Sequence, residues 1–305
     1  FNNAGFDLFH GVTSLIRDAS VPDQLGLLSM GEYIYFCSIA AILVVSGGIS
    51  FMVITDIFNF KKKPKQWRAF TKVVLLTTSI LIIIGTLLLW LTDGLKGSDS
   101  MSLLDCLFES ISSRTAGFFV YPQDHISTAG KIIISLLMII GGSPLSTAGG
   151  IKTTTIFMIV LAMLSYFRSK KLSAFNRSYS SNLVVKAMSL FLLSLTVIAI
   201  AFIVVLTFET NAHLDVKTIT YFDETNGMHS TLSELVLFEI CSCFGTVGFF
   251  NGIEPYLTIG SKIVLCLLMF LGRLGPFTFF QVFQKNMDKE EKLHYQYIEE
   301  DFLIG

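Results

Sequence analysis

Long apolar runs, rather than alternation of apolar and polar positions, dominate this chain. Residues 33–60, 70–91, 131–167, 183–208 and 259–283 each match or exceed the roughly twenty residues that a helix needs to cross a bilayer core of about 30 Å. Lipid offers no partner to an open N–H or C=O, so these runs predict helices that satisfy their own backbone. The third run is too long for one ordinary crossing and carries Gly141, Gly142, Pro144, Gly149 and Gly150, which predicts a helix broken in its middle. Two other stretches, 101–113 and 231–242, are partly apolar but too short to cross. Each is expected to enter and leave on one side.

The order long run, short run, loop, long run occurs over 70–167 and again over 183–283, which is an internal repeat. Its marker is the loop after each short run, where Ser113-Arg114-Thr115-Ala116-Gly117-Phe118-Phe119 answers Phe244-Gly245-Thr246-Val247-Gly248-Phe249-Phe250. A third copy opens the chain as Phe1-Asn2-Asn3-Ala4-Gly5-Phe6 and is followed by the run from Tyr33. The predicted fold is an all-α membrane protein of repeated helix, re-entrant loop, helix units around a central pore. The charged and aromatic tail, 284–305, is expected to be solvated.

Composition agrees with a lipid setting: 52% of the 305 residues are hydrophobic and 15% charged, too little polar surface to coat a soluble globule. The net charge of -1 carries no nucleic-acid footprint. Its distribution is more informative, because basic residues mark cytoplasmic loops. Lys61, Lys62, Lys63, Lys65 and Arg68 form one such loop, and Arg168, Lys170, Lys171, Arg177 and Lys186 another. Asp99, Asp105, Asp215, Asp223 and Glu224 populate the intervening segments, which are expected to face outward. The five cysteines lack zinc or thioredoxin spacing. No charged leader with a cleavage site is recognisable at the start, which lacks Met and falls inside a motif, so a preceding segment is expected.

Non-helical backbone at membrane depth is tolerated only where protein buries it or water wets it, so three re-entrant loops imply a shared aqueous cavity. A K⁺ site replaces the ion's hydration shell with backbone carbonyls, and glycine accepts the backbone angles that aim successive carbonyls the same way. The candidate filter is Asn3, Ala4, Gly5 and Phe6, then Thr115, Ala116, Gly117 and Phe118, then Thr246, Val247, Gly248 and Phe249, with K⁺ held by their backbone carbonyls. Each phenylalanine is expected to wedge its loop against neighbouring helices. Asp7, Asp105, Glu109 and Glu239 lie close to the loops and are read either as acids that enrich cations at the mouth or as solvated and helix-terminal charges.

These residues carry a family resemblance. The chain resembles the membrane subunits of the Ktr, Trk and HKT superfamily of potassium transporters, KtrB-like members above all. The resemblance rests on the three loops, on Gly141-Gly142-Ser143-Pro144 through Ser146-Thr147, on Gly149-Gly150-Ile151-Lys152-Thr153-Thr154-Thr155, and on Gly272-Arg273-Leu274-Gly275-Pro276. It implies four repeats with pseudo-fourfold symmetry around one pore, about three quarters of them present here. Residues 1–60 would be the second repeat's filter and outer helix, 70–167 the third repeat, 183–283 the fourth, and 284–305 a cytoplasmic tail. It also implies a multi-pass plasma-membrane protein that forms homodimers on a cytoplasmic, nucleotide-binding KtrA-like ring. K⁺ is the transported ion, and no organic cofactor is expected in this chain.

By the same resemblance Gly141, Gly142, Ser143, Pro144, Ser146, Thr147, Gly149, Gly150, Lys152 and Thr153 form an intramembrane gate; a kinked helix packed through small residues is the alternative. Lys152 is read equally as a snorkelling end residue. Arg273, expected deep in the last run, is read as a charge barrier to permeation or as a tether to the gate. A Na⁺-coupled symporter or Na⁺-permeable pore is the alternative function. A non-conducting subunit and an intramembrane hydrolase are further ones, the latter without H-E-x-x-H or G-x-S-x-G in the sequence.

Overall fold

The computed structural model describes residues 30–59, 66–95, 101–121, 123, 126–211 and 231–275. The opening loop with Asn3, Ala4, Gly5 and Phe6, the basic residues 61–65 and the tail 284–305 lie outside the described residues.

The elements in chain order are α1 (Met30–Gly48), α2 (Phe51–Asn59), α3 (Ala69–Leu89) running into a π-helical turn (Trp90–Gly94), α4 (Leu103–Ser112), α5 (Thr128–Ile139) and α6 (Thr153–Phe167). A hairpin of β1 (Ser173–Ala174) and β2 (Arg177–Ser178) follows, then α7 (Ser181–Asn211), α8 (Leu232–Gly245), a 3₁₀ turn (Glu254–Tyr256) and α9 (Ile259–Leu274). The hairpin turns through Phe175 and Asn176, both at positive φ, as a two-residue connection requires. Every other regular element among the described residues is helical.

Local chemistry sets the helix starts. Ser102 and Asp105 form a reciprocal capping box at α4. Ser127, Thr231 and Thr258 cap α5, α8 and α9 by accepting from Gly130, Glu234 and Ser261 N–H groups. The π turn after α3 places Asp93 to accept from Ser127 N and Oγ, both at 2.9 Å, which ties the end of α3 to the start of α5.

Two expected spans are interrupted. The run 131–167 divides into α5 and α6 around residues 140–152, as its glycines predict. The run 33–60 was expected to be continuous, yet it divides into α1 and α2 at Ile49 and Ser50. The cause is tertiary competition for the helix's own bonds. The Gly47 carbonyl, which a continuous helix would offer to Phe51 N–H, accepts instead from Thr147 Oγ1 at 2.9 Å, and Phe51 N–H donates to the Leu145 carbonyl at 3.4 Å.

Among the described residues three helices are long and apolar enough to cross a membrane: Gly31–Gly48, Ala69–Gly94 and Ser181–Asn211. Their outward faces are apolar, with Ile80, Ile83 and Leu87 exposed on α3 and Leu192, Ile200 and Ile203 on α7. Polar groups lie inside, including Glu109, Ser110, Ser112, Ser113, Glu209 and Glu239. That inversion suits lipid outside and polar function within. The short helix α4 packs on α3 and α1, while α8 packs on α7, α9 and α5, so both sit between long helices at corresponding places.

Candidate functional site

The loops that leave α4 and α8 are built alike. In the first, Ala116 N–H donates to the Ser112 carbonyl at 2.9 Å, and Ser112 Oγ donates to the Phe118 carbonyl. In the second, Val247 N–H donates to the Ser242 carbonyl at 2.9 Å, and Ser242 Oγ donates to the Phe249 carbonyl at 2.7 Å. One serine at each short helix's end thus spans its loop.

The backbone follows the same rule in both. Thr115 and Gly117 have φ of 86° and 80°, and Thr246 and Gly248 have φ of 53° and 95°, whereas Ala116 and Val247 between them stay on the ordinary side. Alternating hand is the backbone pattern that allows neighbouring carbonyls to share one side of the strand instead of pointing to opposite sides. The left-handed region costs a non-glycine residue about 1–2 kcal/mol. Two threonines held there at matching positions mark strain that the surrounding structure imposes.

The two loops meet. A Cβ added at Gly117 would collide with the Val247 carbonyl oxygen and lie 3.4 Å from Gly248 Cα, and one added at Gly248 would lie 3.8 Å from Gly117 Cα. Phe119 and Phe250 contact edge to face, with centroids 5.5 Å apart and planes at 84°. Phe249 is buried among Phe238, Met138 and Val247, and Phe118 is half-buried against Tyr33, Val44 and Ile111, so each ring does wedge its loop. Thr115 Oγ1 and Thr246 Oγ1 are both buried without a hydrogen-bond partner. A hydroxyl is rarely left so without a ligand or water to meet it.

The acids near the loops are buried clasps and do not face the mouth as open charges. Glu109 is fully buried, and its Oε1 accepts from Val120 N–H at 2.9 Å and Tyr121 N–H at 3.2 Å. Glu239 is 4% exposed, and its Oε1 accepts from Asn251 N–H at 2.8 Å. Each carboxylate holds the outgoing arm of its own loop. Asp105 is taken up by the capping box and by Tyr33 Oη. Asp7 lies outside the described residues. The serine and glutamate pairs, Ser112 with Ser242 and Glu109 with Glu239, sit one residue out of register with the glycines, because the second loop holds one more residue between serine and glycine. That offset hid their correspondence in the sequence.

The break between α5 and α6 lies against the same junction. It is not a kinked helix: Ile140 and Ile151 bridge across it in parallel, and Ser143 N–H and Oγ both reach the Gly48 carbonyl at 3.1 Å. Gly149 is pressed so close to Gly245 and Thr246 that a Cβ there would collide with the Thr246 hydroxyl. Gly150 N–H donates to the Gly272 carbonyl at 3.3 Å. Pro144 is half-buried and Ser146 Oγ donates to the Ser143 carbonyl at 2.7 Å, inside the break. The Gly142 carbonyl accepts from Thr153 N–H at 3.1 Å, which starts α6.

Three cations converge on this segment. Arg114, 7% exposed, donates to the Gly141 carbonyl at 3.2 Å and the Thr78 carbonyl at 3.4 Å, a link between first loop and break that the sequence did not reveal. Lys152 folds back to the Ala148 carbonyl at 2.6 Å, half-buried, and does not extend away from the break. Arg273 was expected deep within the last span. It lies in the last turn of α9, exposed, and donates to the Thr147 carbonyl. Pro276 lies outside the described residues.

Apolar helices enclosing a polar junction of non-helical loops are the arrangement of a membrane protein with polar groups inside. Residues 23–295 match the model of the TrkH family of cation transport proteins, and the chain belongs to that family. It is 33% identical to the potassium/sodium uptake protein NtpJ of Enterococcus hirae over 98% of its own length and 64% of that protein's. It is 30% identical to the Ktr system potassium uptake protein B of Vibrio alginolyticus, over 91% of this chain and 55% of that one. The chain therefore spans less than two thirds of these relatives. The crystal structure of the potassium transporter TrkH from Vibrio parahaemolyticus superposes with a TM-score of 0.60 at 18% identity, covering 83% of this chain and 53% of that one, which establishes the shared fold.

Proposed function

We propose that this chain supplies filter loops and a gate to a pore that passes monovalent cations across the plasma membrane, K⁺ in preference to Na⁺. The observation that carries the reading is the junction of two matching loops. Their backbones alternate in hand, their glycines touch, and each leaves a buried threonine hydroxyl unpartnered. Such an array of oxygens can stand in for a hydration shell.

The proposed ligands are the carbonyls of Thr115, Ala116 and Gly117 and of Thr246, Val247 and Gly248, with the opening loop Asn3, Ala4 and Gly5 as a further contributor. The Phe118 and Phe249 carbonyls turn back to Ser112 and Ser242 and are left out of the set. Residues 1–60, 70–167 and 183–283 are the proposed repeats, and the pseudo-fourfold ring is completed by a further one. The segment 140–152 is the proposed gate, with Arg273 as both its tether and a positive barrier beside the path. A homodimer on a cytoplasmic nucleotide-binding ring is the proposed assembly, with the tail 284–305 on the cytoplasmic side.

Radiotracer uptake by the intact protein in K⁺-uptake-deficient cells tests the reading. Saturable K⁺ uptake that Na⁺ competes with weakly is expected, and an absence of cation uptake contradicts it. Repeating the assay with and without a Na⁺ gradient separates passive K⁺ flux from Na⁺-coupled uptake, the alternative reading.

A further inference from the structure

The helix that follows the break ends in a surface that the filter and gate do not use. Along α6, Val160, Met163, Leu164 and Phe167 are exposed at the spacing of one helix face. That face is aliphatic until Phe167, which with its neighbour Tyr166 stands 74% and 84% exposed respectively. The chain then turns basic at once, with Arg168, Lys170, Lys171 and, in the hairpin, Arg177, all exposed. No Asp or Glu occurs between Asp124 and Glu209. Among the described residues none of these four cations makes an ion pair, whereas Arg68 of the other basic loop is held at 3.6 Å by Asp56.

The surface is built by the backbone. Ser169, at φ 49°, ends α6 in a left-handed turn, in which Lys170 N–H donates to the Ser165 carbonyl and Ser169 N–H to the Tyr166 carbonyl, both at 3.1 Å. Arg168 N–H takes the Leu164 carbonyl, so the helix's negative end is closed by backbone and followed by cations that suit it. β1 packs on α6, and Tyr179 N–H donates to the Leu172 carbonyl at 2.9 Å at the hairpin's base. Ser165, Tyr166, Phe167, Ser169, Lys170 and Leu172 line an open cleft at this helix end.

We propose that the end of α6 and the hairpin after it bind anionic phospholipid, its phosphate at Arg168, Lys170, Lys171 and Arg177 and its acyl chains along the exposed face of α6. The inference stands apart from the filter reading and rests on the membrane setting alone. Order along the chain selects lipid over an acidic protein. Aliphatic face, aromatic pair and cations follow one another as hydrocarbon, interface and phosphate do in a bilayer leaflet. An acidic protein surface answers the cations and gives the two exposed rings and the aliphatic face above them nothing to meet.

The test is native mass spectrometry of the intact protein released from micelles that hold equal phosphatidylglycerol and phosphatidylcholine. The parent is expected to retain phosphatidylglycerol in excess, and the fourfold change Arg168→Gln, Lys170→Gln, Lys171→Gln and Arg177→Gln to lose most of that excess, at about fivefold in affinity per cation. Tyr166→Ser with Phe167→Ser is expected to lower retention of both lipids alike, which loss of charge does not do. Equal lipid preference in the parent and the fourfold variant overturns the proposal, and so does displacement of the lipid by inorganic phosphate, which marks a simple anion site. A fourfold variant that keeps the lipid preference but loses cation uptake in membranes without anionic lipid assigns the cations to an acidic protein and overturns it too. Should the fourfold variant fail to assemble, Lys170→Gln and Arg177→Gln taken singly decide: a drop in phosphatidylglycerol retention of about fivefold in either supports the surface, and no drop in both overturns it.

Discussion

Alanine at Gly117 and at Gly248 would add the same methyl group to equivalent residues, and the structure predicts unequal consequences. Both positions have positive φ, 80° and 95°, so each substitution carries the left-handed penalty of about 1–2 kcal/mol. At Gly248 nothing else stands in the way, since the nearest atom to the new Cβ is Gly117 Cα at 3.8 Å, an ordinary contact. At Gly117 the new Cβ collides with the Val247 carbonyl, one of the proposed ion ligands, and backbone must move to admit it. Overpacking of that kind adds about 1–3 kcal/mol. With tenfold per 1.4 kcal/mol, Gly248→Ala should lower K⁺ flux by roughly five- to thirtyfold and Gly117→Ala by more than roughly thirtyfold, with loss of K⁺ over Na⁺ preference. The assay is tracer K⁺ and Na⁺ uptake normalised to protein in the membrane. A Gly117→Ala variant as active and selective as Gly248→Ala would refute the claim that these loops meet through their backbones at the ion path.

Other expectations concern the parts around the junction. Arg273→Ala should free the Thr147 carbonyl and remove a positive charge; if a passing K⁺ comes within about 6 Å, then at an effective dielectric near 20 that charge opposes it by roughly 3 kcal/mol, so flux should rise by up to about a hundredfold, and unchanged flux counts against the barrier. Arg114→Ala removes the buried donor to the Gly141 carbonyl, together with a second contact to the Thr78 carbonyl of α3, and should destabilise the protein by about 1–3 kcal/mol in thermal unfolding in detergent, whereas an unaltered melting point would dismiss the bridge. Ser242→Ala removes the donor to the Phe249 carbonyl without adding volume, and it should blunt K⁺ preference more than it lowers membrane abundance.

Much of this architecture was legible because lipid leaves few options. Apolar length announced α3 and α7, and the glycines between Gly141 and Gly150, with Pro144 among them, announced the break. The repeated Thr-x-Gly-Phe marker located both described loops. What escaped the sequence was whatever depends on a distant partner. The division of α1 from α2 is made by Thr147 and Leu145, nearly a hundred residues away, and nothing local in Ile49 and Ser50 demands it. The clasp role of Glu109 and Glu239 was masked by the extra residue before Gly248, and by the habit of reading acids beside a pore as open charges. Arg114 stood within a motif already assigned to the filter, so its reach to Gly141 needed coordinates to appear.

Whether an ion sits where the two described loops converge is decided most directly by diffraction from the intact protein soaked in Tl⁺ or Rb⁺, through the anomalous signal. Peaks bounded by the carbonyls of Thr115 to Gly117 and Thr246 to Gly248, reduced by excess K⁺ and little changed by Na⁺, are the predicted result. A junction with no anomalous peak, or peaks confined to sites away from both glycines, would contradict it.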